Sequence, residues 1–400
     1  MTGKVTDIQH PNEVAVGTLA RLTAVIESPA EGKAAVVWTY TEPGRKPQPL
    51  GKGLAVIYIA PAKLASTKVK ITAKNKGTAA FTVEIPVVQP ALAPPTDTVK
   101  CALDADWSKD AADHAATIDG GAPFLVGSRK TWKRPGKKAQ DHTKYCGLTL
   151  NARFSPVRYS AQDFPQFGHW ADLIACSVQL EGLGAFEALN TWDHVNFTFG
   201  LIQFTAQAYG ADLHELLRRA FKNLPQQAGW LFPELKLLGN DFHGRDPATG
   251  DWRPLTNAED KQNIELRGFL KPVKTEITRD EVLFAARLIH WTRAEPKMRA
   301  LMVEMAVERA KANMRDVEDL LDGMDIAVCA AVFDIRLQGR DRTKGRKRIR
   351  DALASAQPLD ELLAIHGPGE KLRIDHLTIA LQKRFAGSKV KYDKKTHELK

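Results

Sequence analysis

The hydrophobic pattern changes its period along the chain, and this change constrains the fold more than any other feature. Before residue 89, apolar and β-branched residues alternate in short runs separated by turn-forming residues. After residue 165, apolar residues recur at intervals of three and four, as on one face of an α-helix. Because strands and helices have these two periods, the pattern predicts an all-β domain followed by a mainly α domain.

The first 89 residues predict a small β-sandwich. Glycine- and proline-containing turns separate strand-like runs at 14–26, 34–40, 54–59, 68–73 and 79–87. This spacing is typical of a two-sheet sandwich of immunoglobulin type, in which Trp38 would be a core aromatic residue. We interpret this domain as a spacer or adhesive module, because no cluster of ionisable residues stands out in it.

A proline-rich segment at 90–100 predicts an extended linker after this sandwich. Residues 101–387 form the second predicted domain, loop-rich as far as 165 and helical beyond it. Helices are predicted at 169–181, 212–222, 280–292, 298–306, 316–336, 346–356, 358–365 and 370–385. The charged tail at 388–400 is expected to be frayed.

Composition excludes several classes of protein. With 44% hydrophobic and 26% charged residues, the chain is neither disordered nor fibrous. It has no apolar run of membrane-spanning length, and we expect no membrane span. The four cysteines are too dispersed for a zinc site, so we expect reduced structural thiols and neither a metal nor a cofactor. A disulfide between Cys101 and Cys146 is left open for an oxidising compartment.

The chemistry is concentrated in residues 169–205. The helix predicted at the start of this segment carries Trp170, Leu173 and Val178 on one face, and Glu181 continues that face. A carboxylate at the end of an apolar stripe loses solvent, so its pKa should rise. A carboxyl group that keeps its proton near neutral pH is what general acid catalysis requires.

A second acidic residue follows this helix. Residues 191–199 predict a short hairpin or strands that carry Asp193 and Thr198, and 200–203 is expected to lead into the next helix. Cleavage of a glycosidic bond needs one group to protonate the leaving oxygen and another to position or deprotonate water. For Asp193, a purely structural role in the turn is left open.

These residues resemble the lysozyme superfamily, in particular goose-type lysozymes, soluble lytic transglycosylases and chitosanases. The resemblance covers residues 169–205 and depends on Glu-Gly-x-Gly at 181–184 and Phe-Gly-Leu-Ile-Gln at 199–203. It implies a lysozyme-like α+β domain with two helical lobes. It also implies that Glu181 is the general acid and Asp193 the candidate base, although their separation is shorter than in the chitosanase pattern.

The resemblance further implies that Thr198 and Gln203 bind substrate. His194 and Asp241 are additional candidates for substrate binding. Asp241 and Glu187 are also reserve candidates for the second carboxylate, and Glu187 is expected at the surface.

The net charge of +10 raises the question of a polyanionic partner. Basic residues are concentrated at 129–138 and 336–350, where either a solvated face or a polyanion-binding surface would fit. Nucleic acid matches the charge, but the chain has no nucleic-acid-binding signature, so we do not favour it. Peptidoglycan carries carboxylates and fits better than chitosan, which is a polycation.

The sequence therefore predicts a peptidoglycan-degrading glycoside hydrolase of the muramidase type. Since the N-terminus has no secretory signal, we expect an antimicrobial enzyme that is made in the cytoplasm and delivered to the periplasm or cell wall by phage or type VI secretion machinery. A delivery or immunity protein would be its partner. Three alternatives are left open: an inactive lysozyme-like adaptor, a chitosanase, and a lytic transglycosylase that does not need Asp193.

Overall fold

The computed structural model describes residues 3–27, 36–93, 95–96, 101–103, 108–134, 143–208, 210–340 and 345–400. These residues form a multidomain protein that contains both helices and sheets. The all-β part comes first in the chain and the helices follow, as the change of hydrophobic period predicts.

The N-terminal domain consists of two sheets packed face to face. Its strands are β1 (Val5–Gln9), β2 (Val14–Ala15), β3 (Leu19–Ile26), β4 (Val37–Thr41), β5 (Gln48–Lys52), β6 (Ala55–Ile59), β7 (Thr67–Lys74) and β8 (Phe81–Val88). One sheet has the order β1-β3-β6 and the other β2-β8-β7-β4-β5. Trp38, Leu22 and Ile71 are fully buried between them, so the prediction of Trp38 as a core residue is confirmed.

A seven-stranded antiparallel sheet follows, where the sequence predicted mainly loops as far as 165. It consists of β9 (Cys101–Leu103), β10 (Asp113–Ile118), β11 (Phe124–Arg134), β12 (Thr143–Leu150), β13 (Leu189–Asn190), β14 (Thr198–Phe199) and β15 (Phe204–Thr205), paired in chain order. β11 contains lysines and arginines at its solvent-facing end. Its hydrophobic alternation is therefore weak, and the strand depends on pairing with β10 and β12 along its length.

The remaining elements are a three-stranded sheet and a set of helices. The sheet contains β16 (Leu235–Leu238), β17 (Asp241–Arg245) and β18 (Trp252–Pro254). The helices are α1 (His169–Gly182), α2 (Asp212–Asn223), α3 (Pro225–Leu231), α4 (Ile264–Leu270), α5 (Arg279–Ala294), α6 (Pro296–Arg315), α7 (Glu318–Leu321), α8 (Ile326–Leu337), α9 (Gly345–Leu353), α10 (Pro358–Ala364) and α11 (Lys371–Phe385). Within the described ranges, none of them has the length and apolar character needed to cross a bilayer.

Most predicted helices are confirmed, with one interruption. The helix predicted at 316–336 is divided into α7 and α8, because Gly323 has a φ of +76° and ends the helical path. α1 lies at the centre of this domain and packs against α6, α8 and α11. The position of α1 places the end that carries Glu181 between the seven-stranded sheet and the C-terminal helices.

The C-terminal tail is ordered, contrary to the expectation that it would be frayed. It forms a hairpin of β19 (Tyr392–Asp393) and β20 (Glu398–Leu399). Tyr392 is 1% exposed and Leu399 6% exposed, and both belong to the hydrophobic core of the helical domain. Two apolar side chains among many charged ones give little signal in the sequence, yet their burial is enough to dock the tail.

Candidate functional site

Glu181 lies in the last turn of α1, which ends where the chain turns toward β13. Leu183 caps the helix in the left-handed conformation, and its backbone N–H donates to the carbonyl of Gln179. A Cβ atom on Gly182 would lie 3.3 Å from that of Ala188, so a glycine permits close packing of the helix end against the strand. The carbonyl of Ala188 in turn accepts a hydrogen bond from the N–H of Gly200. The end of α1 is thereby adjacent to the segment that leads into the β13–β14–β15 hairpins.

Three polar residues from the C-terminal helices surround the Glu181 carboxylate. Arg373 of α11 donates through Nη2 to Glu181 Oε1 at 2.8 Å and to Asp334 Oδ1 at 2.7 Å. The side-chain amide of Gln338 donates to the same oxygen of Glu181. The Asp334 side chain is fully buried and also lies 3.3 Å from Nε2 of the buried His366. Asp334 therefore orients Arg373, and Arg373 orients the acid.

The environment of Glu181 changes its titration. Its side chain is 15% exposed, and burial raises the pKa of its carboxyl group while the Arg373 guanidinium opposes that rise. Both donors use Oε1. Among the described residues Oε2 has no hydrogen-bond partner, and it is not sealed from solvent. Glu181 thus has the shielding that the sequence predicts, and one of its oxygens is free of hydrogen bonds within the described residues.

Asp193 lies in the turn between β13 and β14. Its Oδ1 accepts a hydrogen bond from the backbone N–H of Val195 at 2.9 Å, and its carbonyl accepts one from Asn196. This is the geometry of an Asx turn, which corresponds to the structural role that the sequence left open. No contact within the described part of the chain joins Asp193 to Glu181.

Gln203 and Thr198 lie together in the small hairpins, where both contact or pair with Asn190. Gln203 has a φ of +58° in the turn between β14 and β15, a conformation that side chains other than glycine rarely adopt. Its Oε1 accepts a hydrogen bond from Asn190 of β13 at 3.2 Å. Thr198 pairs with Asn190 across the sheet and is 6% exposed. Residues 200–203 therefore make a tight turn between strands and do not lead directly into a helix.

The loop after β13 is fixed from beneath by buried polar residues. The hydroxyl of Thr191 accepts a hydrogen bond from the N–H of Leu148 at 2.6 Å and donates to Glu281 of α5. Glu281 is paired with Lys271 at 2.6 Å, and both side chains are fully buried. A Cβ on Gly147 would lie 2.5 Å from the carbonyl oxygen of Thr191, so only glycine lets this loop cross β12 so closely.

The other candidate residues lie elsewhere or have different surroundings. His194 is exposed, and its ring lies 6.0 Å from that of Trp132 between centroids. Asp241 begins β17, where its Oδ1 accepts a hydrogen bond from Thr256 at 3.3 Å. Glu187 is not at the surface as expected: its side chain is fully buried and pairs with Arg293 at 2.8 Å. Pairing with an equally buried arginine is what allows a carboxylate at that position.

The basic stretches are partly neutralised within the chain. In the second, Arg336 is buried against Asp316 at 2.8 Å, and Arg350 pairs with Asp319 at 2.6 Å. Residues 341–344 of this stretch and 135–138 of the first lie outside the described residues. An open polyanion-binding face at 336–350 is therefore smaller than the sequence suggests.

Cys146, Cys176 and Cys329 are free and buried, and the side chain of Cys101 lies outside the described residues. In the part of the chain that the structure describes, no group of three or more histidine, cysteine, aspartate or glutamate side chains could hold a metal ion.

The sequence did not identify the residues that support the acid and the loop. Arg373, Asp334 and Asn190 come from distant parts of the chain. Arg373 lies on a helix with several charged residues and gives no separate signal, whereas Asp334 directly follows the apolar run at 326–333 and could have been recognised as a buried carboxylate. Asn190 lies within the segment 169–205 that the sequence identifies as the centre of the chemistry, two positions before Trp192. No family model matches this chain, and no curated protein is similar to it at a significant level.

Proposed function

We propose that the chain is a peptidoglycan-degrading glycoside hydrolase of the muramidase type, with Glu181 as its general acid. One observation carries the proposal: a largely shielded carboxyl group with a raised pKa ends a central helix, and the end of that helix packs against the segment that leads into β13. The similarity of residues 169–205 to the lysozyme superfamily supports the same assignment, as does a sandwich of immunoglobulin type as a targeting module.

The contacts of Glu181 suit proton transfer to a glycosidic oxygen. Burial favours the protonated acid and raises its pKa above the ordinary value of a glutamate, which is the direction that general acid catalysis requires. After the proton has left, the Arg373 guanidinium at 2.8 Å stabilises the carboxylate. Gln203, with Asn190 fixing its amide, would hold the sugar, and Thr198 and His194 would border the same site. Asp241 would contribute only from the rim.

Two chemistries differ in the use of Asp193. In hydrolysis, Asp193 would activate water from the opposite side of the sugar. In transglycosylation, a hydroxyl group of the sugar itself attacks, and one acid suffices. The hydrogen bond of Asp193 with its own turn favours neither, because its second oxygen has no partner among the described residues. Delivery to the cell wall by phage or type VI machinery belongs to the same proposal.

The test is lysis of purified sacculi by Glu181→Gln and by Glu265→Gln, which changes an exposed glutamate on α4. We expect the first variant to lose about 10²–10⁴-fold in rate with an unchanged circular dichroism spectrum, and the second to stay active. Full activity of Glu181→Gln would contradict the proposal. Mass analysis of the products separates reduced muramic ends, anhydro ends and glucosamine ends.

A second candidate function is an inactive lysozyme-like adaptor. The ion pair of Glu181 with Arg373 and its hydrogen bond with Gln338 favour it, because both occupy Oε1 before any substrate is present. Wild-type protein that binds sacculi but releases no muropeptides would support the adaptor. Release of reducing ends from chitosan and not from sacculi would instead indicate a chitosanase.

A further inference from the structure

Four aromatic rings form a cluster at the outer end of the seven-stranded sheet. Trp132 of β11 is at its centre, with ring centroids 5.6 Å from Tyr145, 6.2 Å from Trp192 and 6.0 Å from His194. Trp132 and Tyr145 are direct partners across β11 and β12 and therefore lie on the same face. We name these four residues the aromatic platform.

The platform is held in place by the loop that crosses Gly147. Thr191 fixes this loop on β12, which places the next residue, Trp192, beside Trp132. The indole N–H of Trp192 donates to Asn190 Oδ1 at 2.8 Å, and the amide of Asn190 donates to Gln203. The platform is thus continuous, through one asparagine, with the residue proposed to hold the sugar.

The platform is partly open to solvent, with Tyr145 only 8% exposed beneath the other rings, and it is bordered by positive charge. Trp132 and Trp192 are half-buried, and His194 is exposed. Lys130, two residues before Trp132 and on the same face of β11, lies 4.0 Å above the ring of Trp192. Contiguous large aromatic side chains left in water forfeit favourable burial and typically mark a binding surface.

We propose that the aromatic platform binds the sugar rings of an anionic glycan strand beside Gln203; this inference rests on the proposed function and names an additional substrate contact. The C–H faces of pyranose rings pack on indole rings, while the indole N–H and amide groups suit hydroxyl and N-acetyl groups. Lys130 suits the carboxylates that such a strand carries.

Single-stranded nucleic acid is the competing partner, because bases also stack on aromatic rings between basic side chains. The ring planes of Tyr145, His194 and Trp192 are inclined to that of Trp132 by 34°, 43° and 76°. Successive stacked bases need rings that are nearly parallel, whereas a glycan can follow an angled surface. The geometry therefore favours the glycan.

The experiment measures co-sedimentation of the full chain with purified sacculi, in a Glu181→Gln background so that the polymer stays intact. Trp132→Ala should weaken binding to sacculi about tenfold, as expected when a central anchor residue is truncated. Trp132→Phe keeps an aromatic ring and should retain most of the affinity. Trp252→Ala is the matched control. Trp252 is 37% exposed and has Lys236 4.1 Å above its ring, but it lies on β18.

Unchanged binding of Trp132→Ala, or equal losses in both alanine variants, would overturn the inference. Tighter Trp132-dependent binding to an oligothymidylate than to sacculi would also overturn it, in favour of nucleic acid. Lysis by the wild type is assayed separately. If the wild type has no lytic activity but still binds sacculi through Trp132, the proposed function is refuted, whereas the glycan-binding role of the platform stands.

Discussion

At the scale of single residues, Glu181 owes its chemical character to its neighbours more than to its position in a motif. Burial favours the protonated carboxyl group of Glu181, while the hydrogen bonds from Arg373 and Gln338 stabilise its ionised form. Glu187, only six positions along, is fully buried and paired with Arg293. Glu181 keeps one oxygen without a hydrogen bond in the described residues, whereas Glu187 forms a buried ion pair and has a structural role.

The raised pKa of Glu181 predicts a pH-dependent stability difference. The folded protein holds this proton more tightly than the unfolded chain, whose glutamate has an ordinary pKa of 4.5. The free energy of unfolding of the wild type should therefore fall as pH rises from that value through the raised pKa. Glu181→Gln cannot titrate, so its stability relative to the wild type should increase over this range.

Urea unfolding of both proteins at several pH values between about pH 4 and about pH 8 measures this difference. Repeating the series at high salt screens exposed charges and leaves the contribution of the shielded group. A difference that is constant with pH would show that Glu181 is not shielded in solution.

At the scale of elements, the C-terminal hairpin behaves as part of the core. The indole N–H of Trp170, in the first turn of α1, donates to Glu398 of β20 at 2.5 Å. The N–H of Ile326, at the start of α8, donates to the carbonyl of Val390 just before β19. The hairpin therefore joins the start of α1, whose other end carries Glu181, to the start of α8.

Tyr392→Ala should lower the free energy of unfolding by about 3–5 kcal/mol, because it removes a fully buried aromatic side chain and leaves a cavity. Equilibrium urea unfolding checks the value. Lys395→Ala changes an exposed side chain in the turn of the same hairpin and should stay within about 0.5 kcal/mol of the wild type. Equal effects of the two substitutions would mean that the tail is undocked in solution.

At the scale of the whole molecule, the sandwich is joined to the central sheet by backbone hydrogen bonds. The N–H of Leu125 donates to the carbonyl of Gly17 at 3.0 Å, and the N–H of Leu19 donates to that of Pro123 at 2.9 Å. These bonds connect the corner between β2 and β3 to the start of β11, the strand that carries Trp132. The two domains therefore have a defined relative orientation, in spite of the proline-rich linker.

Gly17→Ala tests this junction. Gly17 has a φ of +74°, and a Cβ there would lie 2.5 Å from the carbonyl oxygen of Phe154. The combined strain and overlap should cost about 3 kcal/mol. Differential scanning calorimetry should then show the sandwich and the remainder unfolding in two separate transitions.

Gly44→Ala is the control, since Gly44 has a similar φ of +69° but open space around it. The strain alone should cost about 1 kcal/mol and leave the unfolding profile otherwise unchanged. If both variants unfold alike, the contact between the domains contributes nothing to their coupling.

Local patterns predicted much of this architecture. α1, α2, α5, α6 and α11 follow from helical periodicity over three turns or more, because each presents an apolar face to the core. The strands β10, β11 and β12 were missed, because small and charged residues weaken their hydrophobic alternation and their order comes from pairing with one another. The short strand at Thr198 lies within the segment predicted as a hairpin or strands.

The sequence by itself determined the order of the β and α parts and placed Glu181 at the end of an apolar helix, because hydrophobic period and helix-ending residues act over a few positions. Only the tertiary structure decided that Arg373 and Gln338 contact the acid, and that Trp132 and Trp192 share one surface. These pairs are far apart in the chain. Their proximity depends on how the helices and strands pack, which local patterns do not encode.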